Sequence, residues 1–148
     1  MGYHQSADQK VKKIDCLDDL KFQGMHLHKH QYTQIKSAAF TLTAADNGKI
    51  ILCDTTLVIT LPSTGAAYGP FIIVNYGEEA AATGISDVRI TINPATADKI
   101  QGCGITALAN KDLVNTLATA KKGDYIKIFY GGTTAWSVGE MRGTWARE

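Results

Sequence analysis

Three histidines alternate with other residues in the segment His26-Leu27-His28-Lys29-His30. Imidazole is a common protein ligand of zinc, copper, nickel and iron. On a β-strand, residues two apart project from the same face, so His26, His28 and His30 would point the same way. A single chain supplies no cysteine or carboxylate at a fitting spacing. A polar interface strand or a solvated arm is therefore the simpler interpretation, and metal binding is the minor hypothesis.

The cysteines are Cys16, Cys53 and Cys103, an odd number without a CxxC spacing, so neither a disulfide framework nor a zinc ribbon is predicted. Free thiols are typical of a chain made in a reducing cytoplasm. A nucleophilic pair of Cys103 or Cys16 with a histidine would need hydrogen-bond proximity and an orienting third group. Cys103 lies between Gly102 and Gly104, where close backbone packing is the simpler explanation. The sequence thus predicts a protein that is not an enzyme and takes no cofactor.

The chain has 148 residues, which fits one domain, and a formal net charge of +1. This balance provides no basic field for collecting phosphates, so no nucleic-acid partner is expected. No signal-peptide pattern and no run of about 20 apolar residues is present, so neither secretion nor membrane insertion is expected. Charged residues make up only 20% of the chain. A surface with few charges is easier to bury against a neighbouring protein.

The first 36 residues differ from the rest, because they hold all four histidines and six of the fifteen lysines and arginines. We predict a partner-binding N-terminal arm over residues 1–36 and a β-sandwich domain over residues 37–148. Apolar residues in the arm recur at three-residue steps, which fits a short amphipathic helix as well as an arm that orders only on a partner. The predicted partner-binding residues of the arm are Val11, Ile14, Leu17, Leu20 and Phe22.

From Ala39 onward, short runs rich in Ile, Val, Thr and Tyr are separated by Gly, Asn, Asp and Pro, which is typical of strands joined by turns. The predicted strands are 40–43, 49–53, 57–61, 71–76, 88–92, 100–102, 125–130, 134–138 and 143–145. The run Phe71–Tyr76 is almost wholly apolar, which is typical of a strand buried on both faces or at the centre of a sandwich. Residues 105–120 fit a helical turn as well as a strand or irregular structure.

These strands predict an all-β fold, a single antiparallel β-sandwich of jelly-roll type with an extended N-terminal arm. No helical segment lies between consecutive strands at the spacing of a βαβ unit, so a parallel α/β sheet is disfavoured. Because of the alternation in the last hairpin, Trp136 is predicted to fill the core. Trp145, close to the C-terminus, is predicted instead to bind a partner, because tryptophan is enriched in interface hot spots.

The order and spacing of these pieces resemble a β-module of bacteriophage tail-fibre, spike and head-decoration proteins. The resemblance covers about residues 39–139 and is carried by Phe40–Lys49, Leu57–Pro62, Gly69–Asn75, Val88–Pro94, Ile100–Gly102 and the final Gly-Gly turn with Trp136. It implies a small sandwich that oligomerises, usually as a trimer, and contributes no catalysis. The first 36 residues match nothing in the module, and the chain lacks the long shaft of a full fibre.

A single domain with an N-terminal arm is similar in outline to a capsid decoration, or cement, protein. The resemblance then implies a homotrimer on the capsid surface of a virion, made in the host cytoplasm. Such a protein would bind the major capsid protein through the arm and one edge of the sandwich, and it would stabilise the head. The alternative is a short tail-fibre or baseplate component, or a receptor- or glycan-binding module.

Overall fold

The computed structural model of the chain describes residues 21–22, 25–26, 33–64 and 69–148, with only the backbone described for the first two pairs. The chain divides into two compact units, residues 1–30 and residues 31–148. In the first unit, strands β1 (Lys21–Phe22) and β2 (Met25–His26) pair antiparallel. The helix or arm predicted over Val11 to Leu20 lies outside the described residues.

The described residues of the second unit form twelve strands and one short 3-10 helix, Ala44–Asp46. The strands are β3 (Thr33–Lys36), β4 (Phe40–Thr41), β5 (Ile50–Cys53), β6 (Leu57–Thr60), β7 (Phe71–Asn75), β8 (Ile90–Asn93), β9 (Lys99–Gly102), β10 (Ile105–Ala109), β11 (Leu113–Asn115), β12 (Tyr125–Tyr130), β13 (Ala135–Arg142) and β14 (Trp145–Arg147). Within the described part of the chain, no helix is long and apolar enough to cross a membrane.

The strands form a seven-stranded sheet in the order β10-β9-β13-β12-β7-β5-β3 and a five-stranded sheet in the order β14-β11-β8-β6-β4. The two sheets share one hydrophobic core, which confirms the predicted all-β sandwich. The prediction of an antiparallel, jelly-roll-like sandwich is wrong, because both sheets are mixed. Strands β3, β5 and β7 run parallel to one another, and so do β4, β6 and β8.

The parallel pairs arise because the chain alternates between the two sheets from β3 to β8. A strand in one sheet is followed by a strand in the other, so the next strand of the first sheet enters in the same direction. Parallel strands need a crossover connection, and here the strands of the opposite sheet provide it without a helix. The absence of helical segments between strands therefore does not exclude parallel pairing in this fold.

Strand β3 lies at the edge of the seven-stranded sheet, where Thr33–Lys36 pair in parallel with Ile50–Cys53. These four residues belong to the region predicted as the arm, yet the structure places them in the sandwich, whose compact unit begins at Gln31. The role of the preceding residues as a partner-binding arm stays a prediction.

The core is built from the inward-facing residues of strands in both sheets. Ile51, Phe71 and Ile73 are fully buried on β5 and β7, and their neighbours in sequence point outward. Trp136 is also fully buried, with its ring centroid 5.8 Å from that of Phe71, which confirms its predicted core position. Burying aliphatic and aromatic side chains of this size contributes roughly 1.5–3 kcal/mol each.

The hairpin of β12 and β13 forms as predicted, although β13 continues to Arg142. Lys127 pairs with Glu140 and Ile128 pairs with Val138, so Gly139 is the extra residue of a β-bulge. The ring of Phe129 covers this glycine, and a Cβ added there would lie 2.5 Å from the ring. A larger residue at this position would have to displace the ring. Residues 105–120, which the sequence leaves open, contain β10 and β11.

A buried polar bridge joins the two sheets at one end of the core. Asn75 on β7 donates from Nδ2 to Oδ1 of Asn115 on β11 at 2.8 Å, and Asn115 donates in turn to Asp124 at 3.1 Å. Ser86 donates to Oδ1 of Asn75 at 2.8 Å. These side chains are almost fully buried, and each finds partners within the group. Buried polar groups stabilise a fold only when they are hydrogen-bonded in this way.

Replacing Asn115 with Ala should lower the free energy of unfolding by about 2–4 kcal/mol, because Asn75 Nδ2 and Asp124 Oδ2 each lose one buried hydrogen bond and a cavity is left between them. Urea denaturation followed by tryptophan fluorescence would measure the change. Thr55→Ala, at an exposed position, is the control and should stay within about 0.5 kcal/mol of the parent chain. An Asn115→Ala variant as stable as that control would contradict the structural role of the bridge.

Candidate interaction surface

The outward face of the seven-stranded sheet carries two rows of side chains across β3, β5, β7 and β12. The strand registers place the members of each row side by side. The first row is Thr33, Ile50, Ile72 and Lys127, and the second is Ile35, Leu52, Val74 and Tyr125. Five of these side chains are aliphatic, and we call the set of Ile35, Ile50, Leu52, Ile72 and Val74 the aliphatic face.

The aliphatic face is turned away from the core. Ile35 is 57% exposed, and the other four side chains are half-buried. Where residues 33–148 are described, they form two layers of sheet, so no third sheet of that unit packs on this face. Covering apolar surface is worth roughly 25 cal/mol per Å². A contiguous apolar patch on a folded domain is typical of a site that binds another molecule.

The outward face of the five-stranded sheet differs in composition. Strands β6 and β8 present Val58, Thr60, Thr91 and Asn93 there, paired as Val58 with Thr91 and Thr60 with Asn93. Three of these four side chains carry polar groups that water can satisfy. The outward face of β6 and β8 is therefore more polar than the aliphatic face of the seven-stranded sheet.

Polar groups border the aliphatic face where β5 and β7 end. The exposed carboxylate of Asp54 accepts a hydrogen bond from Ser37 Oγ at 3.0 Å. Tyr76, which is 42% exposed, lies under Lys122, whose Nζ is 4.6 Å from the ring centroid. The same ammonium donates to Glu78 Oε1 at 2.9 Å, and this hydrogen bond raises the pKa of Lys122.

The lateral border of the face, on β12 and β13, carries Lys127, Glu140 and Arg142. Lys127 pairs with Glu140 across the two strands, and Tyr125 pairs with Arg142. The hydroxyl of Tyr125 donates to the carboxylate of Glu140, which raises the pKa of Tyr125. This border therefore carries two cations and one anion, and Asp54 lies at the separate border where the strands end.

Two open grooves lie on the described surface, and the larger adjoins the first row of the aliphatic face at Lys127. The larger has a volume of about 450 Å³ and is lined by Gly69, Pro70, Lys127, Phe129 and Tyr130. The smaller, of about 190 Å³, lies beside the ion pair of Arg89 with Glu148. The larger groove offers one exposed aromatic ring, Phe129, next to a cationic side chain.

Trp145, predicted as a partner-binding residue, is placed in the core. It is 7% exposed and belongs to the same cluster as Trp136, and its Nε1 donates to the carbonyl oxygen of Arg142 at 2.9 Å. Strand β14 is an edge strand, but its pairing with β11 turns the indole inward. The interface prediction for Trp145 depends on its position near the C-terminus. That position does not determine which face of a strand the side chain occupies.

The other predicted site residues belong to the N-terminal region. Phe22 and His26 lie in the β1–β2 hairpin, of which only the backbone is described. The remaining ones, Val11, Ile14, Leu17, Leu20, His28 and His30, lie outside the described residues. In the described part of the chain, no group of three potential metal ligands comes together. The residues of the aliphatic face were not singled out from the sequence, although their uninterrupted apolar runs were a signal.

The two cysteines of the sandwich occupy different environments. Cys53 is fully buried on β5, and burial raises the pKa of its thiol to about 12. Cys103 is exposed in the turn between β9 and β10, where its Sγ lies 3.4 Å from the carbonyl oxygen of Val138. The preceding Gly102 packs closely, since a Cβ added there would lie 2.5 Å from the carbonyl oxygen of Val138.

The predicted alternative of a nucleophilic Cys–His pair can be checked against the position of the histidines. All four histidines precede residue 31, so residues 31–148 cannot form a Cys–His pair among themselves.

In comparison with known proteins, the sequence matches no family model, and no curated protein matches it.

In a chain that carries Cys16→Ser, one thiol should react quickly with a soluble maleimide at neutral pH, and a second should react only after denaturation. Cys103 is exposed, whereas Cys53 is buried and its pKa of about 12 leaves almost no reactive thiolate. Mass spectrometry of the labelled protein would count the adducts. Adding Cys103→Ser should abolish the fast reaction, and two fast-reacting thiols in the folded Cys16→Ser chain would contradict the placement of Cys53.

Proposed function

We propose that this chain is a bacteriophage capsid decoration protein that binds the major capsid protein and stabilises the head. It would act as a homotrimer on the virion surface, with the N-terminal region as the arm that contacts neighbouring capsid subunits. The observation that carries the proposal is the aliphatic face, a protein-binding type of surface on a rigid all-β scaffold. The resemblance of residues 39–139 to phage virion modules supports the same assignment.

The internal bonding of the sandwich also supports a structural role. The Asn75–Asn115 bridge ties the two sheets together, and Asp98 holds the segment around Thr64 through bonds of 2.9 Å to its backbone N–H and its hydroxyl. Arg147 donates to backbone carbonyl oxygens of Ile100, Lys111 and Thr106. A shell-stabilising protein needs a fold that resists deformation, and well-packed, saturated interiors provide it.

An arm that orders on binding would cover several capsid subunits at once. Such segments cover large surfaces at an ordering cost, and several linked copies turn weak contacts into firm attachment. The proposal therefore assigns the apolar residues of the arm, Leu17 and Leu20 among them, to the contact with the capsid protein.

Replacing Leu17 and Leu20 together with Asp should reduce binding to purified shells of the encoding phage by at least about tenfold, since each buried Leu contributes roughly 1.5–3 kcal/mol. Cosedimentation of the full chain with shells would measure the bound copies. The matched control is Gln5→Asp with Gln9→Asp, which adds the same charge to the same region without removing an apolar side chain. Equal binding of the two double variants, or only a few bound copies of the parent chain per shell, would contradict the proposal.

A second candidate function, a glycan-binding module of a tail, is favoured by the groove of about 450 Å³. An exposed aromatic ring beside a cation is a common platform for a sugar ring, and Phe129 with Lys127 supplies both. Trp145 is buried and does not line this groove, so it is not part of this candidate site.

Under this second function, Phe129→Ala should abolish retention of the protein on a glycan array or on host cells. Leu108→Ala, at another exposed apolar position of the sandwich, is the control and should leave retention unchanged. A parent chain that no glycan retains would remove this candidate and leave the decoration function in place.

A further inference from the structure

The larger groove contains an aromatic ring whose position is fixed by the fold. Ile126 and Ile128 of β12 point into the core, so Phe129 lies on the outward face of that strand. Its ring is held over Gly139, the extra residue of the β-bulge, where a Cβ would come within 2.5 Å of the ring. The remaining surface of the ring is open, since the side chain is 38% exposed. A ligand that stacks on Phe129 therefore meets a ring that loses little rotamer freedom on binding.

The other wall of the groove is formed by Gly69 and Pro70, which precede β7. Gly69 has a φ of +105°, and a Cβ there would lie 3.1 Å from the Cα of Phe129, so this segment packs closely against β12. The N–H of Gly69 donates to Oδ1 of Asn47 at 2.7 Å. The N–H of Gly48 donates to the carbonyl oxygen of Pro70 at 3.0 Å. Both walls are thus held by the fold, as in sites that are formed before the ligand arrives.

Lys127 supplies the charge in the groove. It precedes Phe129 by two residues, so both side chains lie on the same face of β12. Glu140 is the partner of Lys127 across the strands, but its carboxylate accepts the hydrogen bond of the Tyr125 hydroxyl. Among the described residues, no carboxylate forms a salt bridge with Lys127. The ammonium can therefore bind one carboxylate from outside, whereas the neighbouring Glu140 disfavours a ligand with several negative charges.

We propose that the larger groove binds a sugar ring that carries a carboxylate. The apolar side of the sugar ring lies against Phe129, and its carboxylate accepts a hydrogen bond from the ammonium of Lys127. The volume of about 450 Å³ falls in the range of roughly 300–1,000 Å³ that is usual for small-ligand sites. This inference rests on the glycan-binding candidate, because it names the ligand class of that site, and it does not depend on the decoration function.

The charge of Lys127 should distinguish acidic from neutral sugars. A hydrogen bond between two charged groups is stronger than one between neutral groups, so we expect roughly tenfold tighter binding of the acidic sugar. The contact is open to solvent, and salt screens such contacts. The preference for acidic sugars should therefore decrease as the salt concentration rises, while the contribution of stacking on Phe129 should change little.

The test is retention of the full chain on an array of acidic bacterial surface polysaccharides and their carboxyl-reduced forms. Reduction turns each acidic sugar into its neutral counterpart and leaves the linkages unchanged, so the two sets differ only in the carboxylate. The parent chain should bind the acidic set roughly tenfold more tightly. Lys127→Gln should remove this preference and leave binding of the reduced set unchanged, and Lys127→Arg should restore it. Lys121→Gln, the same change of charge at an exposed position, is the matched control.

Equal retention by the acidic and reduced sets, or equal preference in the Lys127→Gln and Lys121→Gln variants, would overturn the inference and leave the glycan-binding candidate in place. A parent chain that neither set retains would overturn both. Urea denaturation of each variant checks that the fold is preserved. Cosedimentation with shells, measured separately, reports on the decoration function alone.

Discussion

The structure depends on the alternation of side chains along β5 and β7, two neighbouring strands that have apolar residues on both faces. In a sandwich of two sheets, each strand has one face toward the core and one away from it. Ile51 and Ile73 satisfy the inner requirement by filling the space between the sheets. The outward residues Ile50, Leu52, Ile72 and Val74 meet no second layer of the described sandwich, so the same strands that build the core also create the aliphatic face.

The path of the chain fixes the shape of that surface. Because the chain alternates between the sheets, β3, β5 and β7 are laid down as parallel neighbours, and their aliphatic residues fall into rows in register. The Asn75–Asn115 bridge then ties β7 to the opposite sheet through buried polar groups. A one-residue slip of β7 would exchange its inner and outer residues and separate Asn75 from Asn115. Register, bridge and surface are thus specified together.

Much of the strand pattern could be predicted from the sequence, because turn residues and alternation act locally. The mixed sheets could not, since strand direction depends on which sheet each segment joins, and that is a long-range property. Trp145 shows the same limit: its position near the terminus suggested a surface role, but pairing of β14 with β11 turns the indole inward. The run Phe71–Tyr76 did contain the signal of the aliphatic face, as a strand predicted to be buried on both sides.

The polar groups of the sandwich help to decide what kind of function it can support. Asn75, Asn115 and Asp124 are buried and bonded to one another, and Thr64 is similarly held by Asp98. Groups that are saturated inside the protein cannot turn toward a ligand without leaving a buried partner unsatisfied, at a cost of about 1–3 kcal/mol each. On the seven-stranded sheet the sandwich presents the aliphatic face outward, bordered by charged groups of both signs. Such a surface offers apolar area, and its polar groups lie at the borders.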